Sequence, residues 1–319
     1  MINNQFQTVG VIGCGTIGCG WATFFALRGM NVRLFDQVPQ VIESAVSKVK
    51  GNLEFMRSSG KLDEVGYESA LNNLRICATL EEALEGVDFV QESIFEDYDA
   101  KKSLYRQLDA LLASDIIIAS SSSGLLMTEI QKAAERHPER CVIGHPINPV
   151  YIVPLVEIVP GEQTSQETVA AAKAFYESVD KVPVTLKKEV PGFLENRLTA
   201  ALWREAIDLV INGVATVEDI DKTCWAGFGL RYPAMGPLLI YHLGGGDGGV
   251  RHFIDHLGPA FTQWWSDMNT WTEIPEGAAD ILEQGVIESM HGKTMAEMCR
   301  WRDKKLVDIV DLAVTHRED

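Results

Sequence analysis

The sequence predicts an α/β chain in two parts: a doubly wound, largely parallel sheet, then an all-helical domain. Three observations predict it. Short apolar runs of strand length alternate with helical patterns over the first 187 residues. A glycine-rich loop follows the first of those runs. After Lys187-Lys188-Glu189 no strand pattern recurs and only helical periodicity remains. The 319 residues suffice for two domains, because single cores rarely grow past about 250 residues. The expected domains are 1–187 and 188–319.

Residues 8–12, Thr-Val-Gly-Val-Ile, read as a short buried strand, and 17–28 as the helix after it. A second strand is expected at 31–35. A long helical pattern at 38–57 is stopped by Ser58-Ser59-Gly60. Further strands are expected at 74–78, 88–91, 116–120, 141–144, 155–159 and 183–186, with helices at 100–112 and 168–178 among them. Thr164 and Glu167 have capping-box spacing ahead of the latter helix. In the second part, 193–211 reads as one long, largely buried helix. Thr216 and Asp219 open another with a capping box, 238–257 is a helical stretch interrupted by Gly244-Gly245-Gly246, and 278–290 is helical.

The net charge of −17 makes nucleic acid and anionic lipid poor partners. No run of about 18 apolar residues is present to span a membrane. Met1-Ile2-Asn3-Asn4-Gln5 lacks the basic and apolar run of a signal peptide, so a cytoplasmic protein is expected. The six cysteines form no C-x-x-C pair, and no metal site is expected.

Gly13-Cys14-Gly15-Thr16-Ile17-Gly18 is a G-x-G-x-x-G loop between a strand and a helix, the Rossmann-type arrangement. Gly13 permits the tight turn, Gly15 lets the backbone approach a pyrophosphate, and Gly18 allows close helix–strand packing. Free N–H groups of the helix start, at Thr16 and Ile17, face the phosphates. Asp36 ends the second strand, eighteen residues past Gly18. A carboxylate there accepts hydrogen bonds from ribose hydroxyls and repels a 2′-phosphate, so the expected cofactor is NAD rather than NADP.

His145 ends an expected strand, and Glu157 lies inside the apolar run Pro154-Leu155-Val156-Glu157-Ile158-Val159. A carboxylate in a buried strand needs a partner, and a histidine is a natural one. The pair would make a general base. The spacing alone is equally consistent with a satisfied core histidine and an unrelated acid.

Taken in order, the glycine loop, Val90-Gln91-Glu92-Ser93, Ala119-Ser120-Ser121-Ser122-Ser123, Gly144-His145-Pro146-Ile147-Asn148-Pro149, Pro154-Leu155-Val156-Glu157 and Val190-Pro191-Gly192-Phe193-Leu194-Glu195-Asn196-Arg197 resemble the 3-hydroxyacyl-CoA dehydrogenase family over nearly the whole chain. The resemblance implies that His145 is the catalytic base and Glu157 the acid that orients it. It implies that Ser123 contacts substrate oxygen and cofactor, that Asn196 positions the substrate, and that Glu92 and Asn148 line the nicotinamide side. It also implies a homodimer. One departure stands out: acyl-CoA members often read Asn-Thr-Ser-Ser where this chain reads Ser121-Ser122-Ser123-Gly124.

The segment 227–237, Gly-Phe-Gly-Leu-Arg-Tyr-Pro-Ala-Met-Gly-Pro, resembles the branch of that family holding lambda-crystallin, L-gulonate 3-dehydrogenase and L-carnitine dehydrogenase. Gly248-Gly249-Val250-Arg251-His252-Phe253 and Leu257-Gly258-Pro259-Ala260 are most similar to the last of these. The expected reaction is NAD-dependent oxidation of the 3-hydroxyl of a small hydroxy acid, L-carnitine to 3-dehydrocarnitine. The alternatives are a short-chain 3-hydroxyacyl-CoA or L-gulonate 3-dehydrogenase and, in another class, a crystallin-like structural protein. A quaternary ammonium offers no N–H donor, so aromatic faces hold it. Tyr232, Phe253, Trp264, Trp265 and Trp271 are candidate faces, and Arg231 a candidate partner for the carboxylate. The same aromatics equally suit helix packing or a dimer interface.

Overall fold

The computed structural model describes residues 6–314. Residues 1–5, read above for a signal peptide, lie outside them. Strand β1 spans Thr8–Ile12, β2 Asn31–Phe35, β3 Leu74–Ile76, β4 Phe89–Glu92, β5 Ile117–Ser120, β6 Cys141–Pro146, β7 Leu155–Pro160 and β8 Val182–Thr185. They form one sheet in the order β3-β2-β1-β4-β5-β6-β7-β8. All neighbours pair parallel except β6 and β7, which are antiparallel. The strand order reverses beside β1, between β2 and β4, and such a switch opens a crevice at the carboxyl ends of the strands.

The helices of this part are α1 Thr16–Leu27, α2 Pro39–Ser58, α3 Glu64–Asn72, α4 Leu80–Leu84, α5 Tyr98–Leu111, α6 Met127–Ile130 and α7 Gln166–Ser178. Alternation along the strands divides the core in two. Val9, Val11, Phe89, Ala119, Val142 and Ile158 join Trp21, Phe25 and Phe175 of α1 and α7. Ile12, Val90, Ile118, Ile143 and Val159 join Leu104, Leu108, Met127 and Ile130 of α5 and α6. Successive strand residues point to opposite faces, so both faces are covered, which is why these strands read as near-continuous apolar runs.

Three local expectations are corrected. Ser165, not Thr164, caps α7, its hydroxyl accepting from the Thr168 N–H at 3.0 Å. Thr164 instead donates to the Cys141 carbonyl at 2.6 Å, pinning the connection onto β6. Helices α3 and α4 were not expected; Asp63 and Thr79 cap them.

The chain divides into two compact units, Met1–Arg197 and Leu198–Asp319. The first extends past residue 187 because Phe193 is completely buried in its core. The second is all-helical among its described residues. Its helices are α8 Glu195–Ile211, which begins in the first unit, α9 Val217–Ala226, α10 Pro237–Gly244, α11 Gly249–Asp267, α12 Ala278–Ser289 and α13 Met295–Val314. The glycines at 244–246 separate α10 from α11. Helix α8 starts two residues later than expected, because Phe193 has φ +54° and cannot continue a right-handed helix. It is not largely buried: Ile207 alone is, while Leu198, Leu202 and Trp203 stay exposed in the single chain.

Candidate active site

The glycine loop leaves β1 at the crevice. Gly13 has φ +96°, and a Cβ there would lie 2.5 Å from the Ser93 backbone. A Cβ on Gly18 would lie 1.8 Å from the Gly13 carbonyl oxygen, so the loop closes onto α1 only with glycine at 18. At Gly15, in contrast, an added Cβ would meet nothing within 4 Å. Protein packing therefore does not explain glycine at 15, whereas the close approach of a ligand to bare backbone does. Gly15 is also the N-cap of α1 and carries no capping side chain, so the N–H groups of Thr16 and Ile17 face outward from the helix start.

Asp36 follows β2 directly. Its carboxylate accepts from the Cys14 N–H at 2.8 Å and the Val38 N–H at 2.9 Å, fastening the glycine loop to the second strand. It lines a cleft of about 310 Å³ with Ile12, Gly13, Leu80, Ile94 and Leu104. Apolar walls beside an acceptor carboxylate, reached across an open glycine, suit an adenosine with free ribose hydroxyls. These residues fit NAD.

His145 on β6 stands directly opposite Glu157 on β7 in the antiparallel register. Nδ1 of the imidazole lies 2.8 Å from Oε2 of the carboxylate, with both side chains buried. The other oxygen, Oε1, accepts from the Leu194 N–H at 2.9 Å and the Glu195 N–H at 3.0 Å. Phe193 packs edge-on against the imidazole, ring centroids 5.6 Å apart. Its left-handed backbone costs about 1–3 kcal/mol; burial of the ring offsets this, and the turn aims the next two N–H groups at Glu157. Burial pushes the Glu157 carboxyl up, but the His145 hydrogen bond and the Glu195 and Leu194 N–H groups outweigh it and hold it below its ordinary value. An ionised carboxylate only accepts, so His145 carries a hydrogen on Nδ1, and Nε2 is the accepting nitrogen of the neutral ring.

Glu96 gathers the loop after β5. Its Oε1 accepts from the Ser122 hydroxyl at 2.7 Å, the Ser123 N–H at 2.8 Å and the Gly124 N–H at 3.0 Å. Burial pushes this carboxyl up, yet those donors and the Lys101 ammonium hold it below its ordinary value. Ser123 is exposed, and its carbonyl accepts from the Asn196 amide at 2.7 Å. The chain thus brings Ser123 and Asn196 together. Glu92 is different. It is fully buried, bound by Lys101 Nζ at 2.7 Å, the Ser120 hydroxyl at 2.5 Å and the Ile94 N–H at 2.7 Å. It underlies the crevice instead of lining it. Asn148 is exposed, ahead of a cis Asn148–Pro149 bond.

The model of the 3-hydroxyacyl-CoA dehydrogenase NAD-binding domain matches residues 8–190, and that of the C-terminal domain of the same enzymes matches 192–288. The chain belongs to the 3-hydroxyacyl-CoA dehydrogenase family. It is an NAD-dependent oxidoreductase acting on CH–OH donors. An L-carnitine dehydrogenase of Nocardiopsis dassonvillei is 40% identical over 95% of this chain and 90% of its own length. One from Pseudomonas aeruginosa is 39% identical over 96% and 94%. Among solved structures, an NAD+-dependent 5-formyl-3-hydroxy-2-methylpyridine 4-carboxylic acid 5-dehydrogenase superposes with a TM-score of 0.82 at 29% identity, covering 98% of this chain and all of that one. The (S)-3-hydroxybutyryl-CoA dehydrogenase of Ralstonia eutropha gives 0.65 at 30%, covering 82% and 88%.

In this family member the candidate substrate residues of the second unit do not form one group. Trp264 and Trp265 flank Phe261 at centroid distances of 4.8 and 5.7 Å, and Phe253 and Tyr241 complete that cluster. Tyr232 packs on Phe228, and Arg231 is exposed at the end of the same turn. Trp271 donates its indole N–H to Asp208 at 3.3 Å. Sequence reasoning missed Glu96, Lys101 and Ser121. Glu96 sits in Glu-Asp-Tyr-Asp, where nothing marks it apart from a solvated acid; Lys101 is marked only by falling on an apolar face of α5. No group of three or more His, Cys, Asp or Glu that would hold a metal occurs among the described residues, nor any helix long and apolar enough to cross a membrane.

Proposed function

We propose that the chain oxidises the 3-hydroxyl of a small free hydroxy acid, L-carnitine to 3-dehydrocarnitine, with His145 as general base. The observation that carries the base assignment is the buried His145–Glu157 pair. Glu157 fixes the tautomer, and His145 Nε2 takes the hydroxyl proton. The exposed Ser123 hydroxyl and the Asn196 amide, anchored on the Ser123 carbonyl, hold the substrate oxygen as it becomes a carbonyl. Thr16, Ile17 and the bare Gly15 backbone hold the cofactor phosphates, Asp36 the adenosine ribose, and Asn148 the nicotinamide side. When bound, NAD supplies the hydride acceptor. Glu92 acts from beneath, through Lys101 and Ser120.

Support for carnitine comes from the 39–40% identical relatives of that name and from aromatic faces at Phe253, Trp264 and Trp265. A face is worth about 0.5–2 kcal/mol to a desolvated cation. The net charge of −17 only assists encounter, because it is screened beyond about 8 Å at physiological salt. Large exposed apolar side chains of the second unit, Leu198, Trp225, Leu230 and Leu238 among them, support a homodimer through that unit. A short-chain 3-hydroxyacyl-CoA is the second reading, supported by the family-wide match and the Ralstonia eutropha likeness.

NADH absorbance with L-carnitine, its uncharged tert-butyl analogue, L-gulonate and 3-hydroxybutyryl-CoA tests the proposal. Carnitine should give the highest kcat/KM and the neutral analogue a value well below it. Strong turnover of the CoA ester with none of carnitine replaces this reading by the second; equal turnover of the neutral analogue removes the aromatic account.

A further inference from the structure

A chain of buried and half-buried polar groups runs from Tyr176 to Ser93 by way of Gln91 and Ser121, and its hydrogens can be assigned by elimination. The Tyr176 hydroxyl lies 2.7 Å from Gln91 Oε1, while Gln91 Nε2 faces the Ser121 hydroxyl at 2.9 Å and the Gly144 carbonyl at 3.4 Å. A carbonyl oxygen only accepts, so the amide NH₂ faces Gly144 and Ser121. The indole N–H of Trp21, which only donates, reaches Ser121 Oγ at 3.1 Å. Ser121 Oγ thus accepts twice, from Gln91 and from Trp21, and both its acceptor positions are taken. Its single hydrogen goes to its third neighbour, Ser93 Oγ, at 2.8 Å. Ser93 therefore accepts from Ser121 and keeps its own hydrogen for another acceptor. Among the described residues Ser93 Oγ has no other hydrogen-bond partner.

Position says where that hydrogen goes. Ser93 is only partly buried, and its backbone abuts Gly13 so closely that a Cβ there would lie 2.5 Å from it. A Cβ on Gly18 would lie 3.5 Å from Ser93 Cβ. The hydroxyl thus borders the glycine loop. We propose that Ser93 is a cofactor-binding residue, donating its hydroxyl hydrogen to a phosphate or ribose oxygen of NAD, and that Ser121 is the positioning residue that orients it. Trp21 and Gln91 set the direction, and Gly144, the neighbour of His145, ties the same chain to the base.

The proposal rests on the reading of the glycine loop as the NAD site, and NADH binding, followed by fluorescence or calorimetry with no turnover, tests the two separately. Ser93→Ala should raise the NADH Kd about three- to tenfold, the size of one net hydrogen bond, with little change in Tm. Ser121→Ala should lower Tm more, because it strands the Trp21 and Gln91 donors, and should raise Kd less, since Ser93 keeps its hydroxyl. In the Ser121→Ala background the added effect of Ser93→Ala should shrink, because the hydroxyl it removes is no longer oriented. Normal wild-type binding with an unchanged Kd in Ser93→Ala overturns the role of Ser93 alone. An equal Ser93→Ala effect in both backgrounds overturns the orienting role of Ser121. Absence of NADH binding by the wild type overturns the site reading and, with it, the proposal.

Discussion

Replacing Glu157 by glutamine keeps shape and volume while changing which hydrogens are available at the base. Oε1 of Glu157 now accepts two backbone N–H groups and Oε2 faces Nδ1 of His145. A glutamine has one oxygen for the two sides. With the oxygen toward Leu194 and Glu195, its NH₂ faces Nδ1, so the ring must accept there and carry its hydrogen on Nε2, where the base is needed. With the oxygen toward Nδ1, the active tautomer survives but both backbone donors confront an NH₂ in a buried place. Each stranded donor costs about 1–3 kcal/mol, so the inactive arrangement is favoured by about 2–6 kcal/mol. At 1.36 kcal/mol per decade, the active tautomer falls by about 30- to 10⁴-fold. This overlaps the range of about 10²–10⁴ attached to loss of a general base. The assay is kcat by NADH absorbance with the best wild-type substrate, with NADH Kd as the control. Glu157→Gln should lose at least about 30-fold in kcat with Kd unchanged. A kcat within threefold of wild type refutes the tautomer argument.

Three further outcomes are expected. Gly15→Ala, whose Cβ meets no protein atom, should leave Tm nearly unchanged and raise the NADH Kd at least about tenfold, whereas Gly18→Ala, driven against the Gly13 carbonyl, should lower Tm by about 2–12 °C. Asp36→Ala should narrow the preference for NAD over NADP in kcat/KM and also weaken NADH binding, because it frees the Cys14 and Val38 N–H groups; an unchanged ratio refutes the ribose assignment. Because Glu157 is held below its ordinary value of 4.5, its ionised form adds stability above that value, and the contribution is lost as pH falls through the lowered one. Thermal melts between pH 6 and pH 3 should therefore show a shallower acid loss for Glu157→Gln than for wild type; parallel curves contradict this.

The strands were legible because both faces of the sheet are covered, so β1, β4, β5 and β6 each carry a short apolar run, with Thr8, Gln91, Glu92, Ser120 and His145 falling toward the strand ends. The glycine loop was legible because Gly13 and Gly18 answer to local sterics that any such turn obeys. His145 and Glu157 were individually visible, but their pairing depends on β7 running antiparallel to β6. A signal for that existed: the connection 147–154 is shorter than the dozen or more residues that a parallel crossover takes. Glu96 and Ser121 were not legible. Their roles arise where loops from three strands converge, and nothing in the local pattern distinguishes them from solvated residues. Phe193 in a left-handed turn was hidden by its apolar neighbours, which continue the helical periodicity of α8 backwards.

The hairpin of β6 and β7 sets the spacing of the proton-transfer pair independently of the loop that joins its strands. Cross-strand register alone brings His145 and Glu157 opposite each other, and a side-chain pair so placed has its Cβ atoms about 4.5–5.5 Å apart whatever joins the strands. The tip of the hairpin, carrying Asn148 and Tyr151, contributes nothing to that spacing. That tip is tied down separately: Val150 is fully buried, and the Val150 and Val153 carbonyls accept from the buried Lys181 ammonium at 2.6 and 2.8 Å. The pairing of the base and its partner is therefore a property of two strands, and a change in the loop that joins them acts on packing and on Asn148 without altering which residue faces which.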